Sequence, residues 1–89
     1  MSKITKDSNI VWSKIQCPYC DMAKRLLQSK EITYEERMIG DGWTKEQLLE
    51  SVPNARSVPQ IFLQGELIGG YEQLKAHFEK IEKEKHDKN

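Results

Sequence analysis

Cysteine is scarce: the 89 residues hold only Cys17 and Cys20, three positions apart. A bridge between them closes too short a loop to brace a fold, because disulfide stabilisation grows with loop length. Histidine is as scarce, with only His77 and His86, and there is no second cysteine pair. A four-ligand zinc site within one chain is therefore not expected, and no metal is. An excess of one charge is also missing, since fourteen Lys and Arg balance fourteen Asp and Glu, interspersed along the chain. That leaves no basic stripe for nucleic acid and no polybasic patch for a membrane surface. Long apolar runs are absent too. The opening MSKITKDSNI lacks the apolar core of a secretory signal, and no later segment approaches the roughly 20 apolar residues of a membrane span. A cytoplasmic monomer is expected. In that compartment thiols are kept reduced, and a close cysteine pair reads as chemistry or metal binding rather than as a staple.

With no repeat, low-complexity stretch or linker, residues 1–89 read as one domain, burying roughly 60–65% of its unfolded surface. Residues 1–8 read as a loose leader. Ile10–Trp12 is a short apolar run suited to a buried strand. Pro18 opens a helical pattern in which Met22, Ala23, Leu26 and Leu27 form a stripe facing a core, with Cys20 toward the buried side of the first turn. Ile32–Met38 alternates and reads as a second strand, broken by Gly40, Asp41 and Gly42. Thr44-Lys45-Glu46-Gln47 fits a capping box and starts a short helix carrying Leu48, Leu49 and Val52. Gln60–Leu63 and Leu67-Ile68, joined by a turn at Gln64-Gly65-Glu66, read as a hairpin. After Gly69-Gly70 a last helix carries Leu74, Phe78 and Ile81 on one face. The chain from Glu82 onward is almost wholly polar, and 83–89 read as a fraying tail. The order β-α-β-α-β-β-α combines a parallel crossover with an antiparallel hairpin, a small mixed sheet with helices packed on it.

Cys17-Pro18-Tyr19-Cys20 falls where a strand ends and a helix begins. Unpaired N–H groups and the helix dipole favour a thiolate at Cys17, and Lys14 adds a nearby positive charge. Pro18 lacks an N–H and suits the first helical turn. Cys20, one turn inside the helix, can reach Cys17 and reads as the more buried, less acidic thiol. The two divide the labour of a redox pair, Cys17 attacking and Cys20 resolving. Taken singly, other residues stay open: Tyr19 as a half-exposed aromatic, Lys14 and Arg56 as solvated cations, Glu72 as a first-turn acid, Gly69-Gly70 as a turn. Pro59 reads equally as a cis-proline or as an ordinary proline at a strand start. Trp12 and Trp43 read as structural.

Over about residues 10–82 the sequence resembles the glutaredoxin family. The resemblance rests on Ser13-Lys14-x-x-Cys17-Pro18-Tyr19-Cys20, on Ala55-Arg56-Ser57-Val58-Pro59-Gln60-Ile61-Phe62, and on Ile68-Gly69-Gly70-Tyr71-Glu72-Gln73-Leu74. The first block looks like the dithiol class, the others like the family's Thr-Val-Pro and Gly-Gly-x-Asp motifs. The resemblance implies a thioredoxin-like fold of four strands and three helices, and a glutathione-dependent thiol–disulfide oxidoreductase. It implies Pro59 as the cis-proline beside the active site, Val58 as the backbone that pairs with glutathione, and Tyr19 as a groove wall. Lys14 and Arg56 would meet the glycyl carboxylate, and Gly70, Tyr71 and Glu72 the γ-glutamyl end. Glutathione is the implied co-substrate. Glutathionylated or disulfide-containing proteins are the implied partners, with electron supply to ribonucleotide reductase a suggested task.

Ser57 replaces the usual Thr, Glu72 the usual Asp, and Gln73 a frequent second Asp. The glutamine that many members carry on the second helix has no clear counterpart, Glu46 and Gln47 being nearest. Two rival readings have less support. A thioredoxin-like reductant lacks its Trp-Cys-Gly-Pro-Cys motif, and an iron–sulfur carrier shared between two chains is disfavoured by Pro18.

Overall fold

A computed structural model describes residues 9–87, and the side chains of 9–82. The leader expected over 1–8 lies outside the described residues. The elements are β1 (Ile10–Ser13), α1 (Pro18–Ser29), β2 (Glu35–Met38), α2 (Lys45–Ser51), β3 (Gln60–Leu63), β4 (Glu66–Gly69) and α3 (Tyr71–Asp87). The helix α3 runs through the first residues of the charged tail, where fraying is expected, and residues 88 and 89 lie outside the described part. No described helix is long and apolar enough to cross a membrane.

The sheet order is β2-β1-β3-β4, with β1 parallel to β2 and antiparallel to β3, and β3 antiparallel to β4. β1 is central, and successive side chains point to opposite faces. Val11 therefore joins Ala23, Leu27, Ile61 and Leu74 in one core, under α1 and α3. Trp12 joins Leu48 and Val52 in a second core, under α2. Burial on both faces is why Ile10–Trp12 reads as a continuous apolar run rather than an alternating one. The edge of the second core is closed by Trp43, edge-on to Trp12 at 5.4 Å, with the Arg37 guanidinium 4.3 Å from the Trp43 ring centre and 5.3 Å from that of Trp12.

Two expectations are corrected here. The second strand begins at Glu35, not Ile32, because residues 30–32 finish α1. Glu31 takes a positive φ of 59°, and the Glu31 and Ile32 N–H groups bond to the Gln28 and Leu27 carbonyls. This is a Schellman ending, made without glycine. An N–H engaged there is not available to a strand ladder, so the alternation of Ile32 and Tyr34 reflects packing on the first core. Met22 is exposed, because the inner face of α1 runs through Cys20, Ala23 and Leu27, and Met22 stands about 100° round the helix from Ala23.

Elsewhere the local chemistry is as expected. Thr44 Oγ1 accepts the Gln47 N–H at 3.1 Å while Gln47 Oε1 accepts the Thr44 N–H at 2.8 Å, a complete capping box. Gln64 and Gly65 both take positive φ, 54° and 82°, which suits a two-residue hairpin to the twist of its strands. The turn is thus one residue shorter than expected, and Glu66 pairs with Leu63 as the first residue of β4. The Asn9 side chain ties that turn down, accepting the Gln64 N–H at 2.8 Å and donating to the Thr33 carbonyl at 3.0 Å.

α1 is fastened to the sheet edge by Lys24, whose Nζ lies 2.6 Å from Glu36 Oε2; Ser13 Oγ donates to the same oxygen at 2.9 Å. The Lys24 hydrogen bond is the main cause that holds the Glu36 carboxyl below its ordinary value of 4.5; burial opposes it, while Ser13 and the Lys24 charge assist. For Lys24 burial is the largest single influence and lowers its pKa, but Glu36, with Asp21 and Tyr34, outweighs it and leaves it above 10.5. Glu36's contribution is therefore present above about pH 4.5 and lost as pH falls through its folded value. The Lys24 contribution is present below about pH 10.5 and lost as pH rises through its folded value. Glu36→Gln is expected to cost about 0.5–1 kcal/mol at neutral pH, because the pair is partly exposed. It should also flatten the acid limb of stability against pH in urea titrations. An unchanged acid limb would refute this account.

Candidate functional site

Cys17 occupies the N-cap of α1 with extended backbone, φ −123° and ψ 96°, and its sulfur accepts the Cys20 N–H at 3.2 Å. Pro18 follows at the first helical position, where its missing N–H leaves nothing unsatisfied. Ahead of them Gln16 turns the chain through a positive φ of 56°. Cys17 and Cys20 form a disulfide, with α-carbons 5.2 Å apart. Their exposure differs in the sense that matters: Cys17 keeps 8% of its surface open, and Cys20 none. Of the two cysteines, only Cys17 is open to approach from outside. An N–H aimed at that sulfur, at the positive end of a helix, also favours negative charge on it.

Opposite the disulfide runs the loop into β3. The Val58–Pro59 peptide is cis, and the Val58 carbonyl oxygen lies 3.9 Å from Cys17 Sγ. Beside it a groove of about 310 Å³ brings together Tyr19, Val58, Pro59, Gly70, Tyr71 and Glu72, six of the residues singled out from sequence. Tyr19 and Tyr71 face each other across one end, ring centres 6.1 Å apart. Ser57, Gln60 and Gln73 complete the lining. Of these, Ser57 and Gln73 stood out in the sequence only as departures from a family motif. Gln73 Oε1 accepts the Gly70 N–H at 2.9 Å, folding the side chain back over the start of α3. A Cβ at Gly69 would lie 3.1 Å from Gln73 Cγ, and φ there is +120°, so this fold-back needs glycine.

Lys14 and Arg56 do not line that groove. They lie in a second hollow of about 190 Å³, which shares Ser57 and Val58 with the first and is also lined by Lys45 and by Ile39, Leu48, Leu49 and Ala55. The fold thus places the eight other residues in two adjoining hollows rather than one continuous set. Neither Glu46 nor Gln47 reaches either hollow, and the Gln47 amide is engaged in the capping box. Lys45 was missed in the sequence, where its only role was as a position inside that box. Charge differs sharply between the hollows: the charged residue of the first is Glu72, and those of the second are Lys14, Lys45 and Arg56. Among the described residues no cluster of three or more His, Cys, Asp or Glu could hold a metal ion.

A four-stranded mixed sheet flanked by three helices, with a Cys-x-x-Cys disulfide at the first helix start facing a cis-proline loop, defines a thioredoxin-fold protein with a redox-capable dithiol. Comparison with known proteins narrows the class. The glutaredoxin family profile matches residues 9–68. Glutaredoxin 3 of Escherichia coli K12 is 36% identical over 66 residues, covering 74% of this chain and 80% of the relative. Hybrid peroxiredoxin hyPrx5 of Haemophilus influenzae is 34% identical over 73 residues; the match spans 82% of this chain but only 30% of that protein. Among solved structures, glutaredoxin 1 from Francisella tularensis complexed with cacodylate superposes with a TM-score of 0.70 at 30% identity, covering 82% of this chain and 93% of that one. A buckwheat glutaredoxin–glutathione complex gives 0.69 at 26% identity, covering 81% and 69%. The chain belongs to the glutaredoxin family, and its role is that of a thiol–disulfide oxidoreductase.

Proposed function

We propose that the chain is a dithiol glutaredoxin of the Cys-Pro-Tyr-Cys class, using glutathione to reduce glutathione mixed disulfides and protein disulfides. One observation carries the reading. The sulfur of Cys17, the cysteine open to approach, sits beside Val58, where a groove bearing Glu72 meets a hollow bearing Lys14 and Arg56. Glutathione has the matching polarity: a thiol at its centre, an ammonium and a carboxylate at the γ-glutamyl end, and a carboxylate at the glycyl end. With its cysteine against Cys17 and its backbone paired to Val58, the glycyl carboxylate meets Lys14 and Arg56. The γ-glutamyl carboxylate meets the start of α3 at Gly70 and Tyr71, and its ammonium meets Glu72. Tyr19 and Pro59 wall the groove. The glutathione-bound buckwheat relative supports the choice of ligand.

The chemistry then balances in two steps. Cys17 thiolate attacks the glutathione sulfur of a mixed disulfide, the old S–S bond breaks, and the substrate leaves as its thiolate. A second glutathione thiolate attacks the Cys17–glutathione disulfide, releasing glutathione disulfide and restoring Cys17. With a protein disulfide, Cys17 forms a protein mixed disulfide and Cys20 displaces it, leaving the Cys17–Cys20 bond, which two glutathiones reduce. Ribonucleotide reductase is the protein recipient that the family resemblance suggests. The acting species is a monomer in the cytosol, where glutathione is kept reduced.

The test is reduction of a glutathione mixed disulfide, coupled to glutathione and glutathione reductase. Wild-type turnover is expected. Cys20→Ser should keep turnover on this substrate, because the second step uses external glutathione, and should lose most of its activity on an intramolecular protein disulfide. Equal loss on both substrates would refute the division of labour. No wild-type turnover would refute the glutathione reading itself.

A further inference from the structure

The second hollow has more recognition chemistry than glutathione can use. Three cations rim it, Lys14, Lys45 and Arg56, whereas the glycyl end of glutathione offers one carboxylate. Among the described residues none of the three lies within 4.0 Å of a carboxylate. The floor is apolar, made by Ile39, Leu49 and Ala55 over the second core, and glutathione has no apolar side chain to lay on it. Beside the hollow's Lys14, on the turn leading to Cys17, Ile15 stands 70% exposed. In a chain of zero net charge, three cations around an apolar floor beside the reactive sulfur are a local departure.

We propose that this hollow docks the acidic, apolar segment that flanks the cysteine of a protein disulfide substrate. A substrate chain paired along Val58 continues past Ser57 and Arg56 into the hollow. Strand residues advance about 3.3 Å each, so a side chain two or three positions from the substrate cysteine reaches the floor. There an aliphatic side chain covers Ile39 and Leu49, and neighbouring carboxylates meet the three cations. Lys45 and the floor thereby select among protein substrates, whereas Lys14 and Arg56 serve both protein and glutathione. The inference rests on the thiol–disulfide role of Cys17 but not on glutathione as reductant.

The test is fluorescence anisotropy with the oxidised full-length protein and three labelled decapeptides. Each has serine at the cysteine position, so no thiol chemistry is involved. One carries leucine and two glutamates beside that serine, the second has lysines for the glutamates, and the third has serine for the leucine. The acidic leucine peptide should bind more tightly than the lysine peptide by about two- to fivefold per charge. It should also bind more tightly than the leucine-free peptide, and weaken as salt rises. Lys45→Glu should shrink or invert the acidic preference, and Lys45→Arg should keep it. A charge-swapped preference is something an unfolded variant cannot produce. Equal binding of the three peptides, no detectable binding, or a preference unmoved by Lys45→Glu would overturn the proposal. Because the peptides lack cysteine, failure here leaves the glutathione reading intact. Failure of the coupled assay leaves this docking result standing.

Discussion

Cys17→Ser is expected to reduce glutathione-dependent turnover to the uncatalysed background, a fall on the order of 10³-fold or more. A serine hydroxyl at this N-cap still accepts the Cys20 N–H, so the helix start is preserved. What is lost is the sulfur that attacks and then carries the mixed disulfide, and no hydroxyl does that at neutral pH. Cys20 cannot substitute, because it is fully buried behind the first turn of α1. The loop closed by the native bridge is too short for its loss to unfold the protein. Far-UV circular dichroism should therefore match that of reduced wild type. Turnover of about a tenth of wild type or more would mean that Cys20 or another group attacks. Native-like spectra with no activity would confirm Cys17 as the nucleophile.

The sequence shows the elements and their order because each is written in local chemistry. The Thr44–Gln47 box, the Gln64-Gly65 turn and Pro18 after Cys17 need only a few neighbouring residues to act. What it does not show depends on distant partners. The start of β2 hangs on whether the Ile32 N–H goes to the Leu27 carbonyl or to β1, and the alternation of Ile32 and Tyr34 is the same either way. Lys45 belongs to the hollow only because α2 packs against Trp12 and brings its first turn beside Arg56. The split of the cations from the groove that bears Glu72 has the same origin. Lys14 follows β1 and Arg56 precedes β3, antiparallel neighbours, so both come to one end of the sheet, where they line the hollow with Lys45 of α2. Gln73, read as a departure from a motif, has a definite task as the cap of Gly70.

Leu27→Ala should be among the most damaging substitutions outside the disulfide. Leu27 is fully buried on the inner face of α1, in the core it shares with Val11, Ala23, Ile61 and Leu74. Truncation removes the transfer free energy of three carbons and leaves a cavity that neighbours on a sheet and two helices cannot collapse to fill. The cost is about 2.7–5 kcal/mol. A chain of this length has a total stability of roughly 4–13 kcal/mol, so a large share is lost. The melting temperature should fall by more than about 10 °C. Urea or thermal unfolding followed by circular dichroism measures this, with both proteins fully reduced so that the Cys17–Cys20 bond does not differ between them. Met22→Ala is the control, because Met22 is 40% exposed although it shares the same apolar stripe in sequence. It should cost less than about 1 kcal/mol. Similar losses for the two variants would mean that α1 is rotated from the face assigned to it. In that case Cys20, on the same face as Leu27, would not be the shielded thiol.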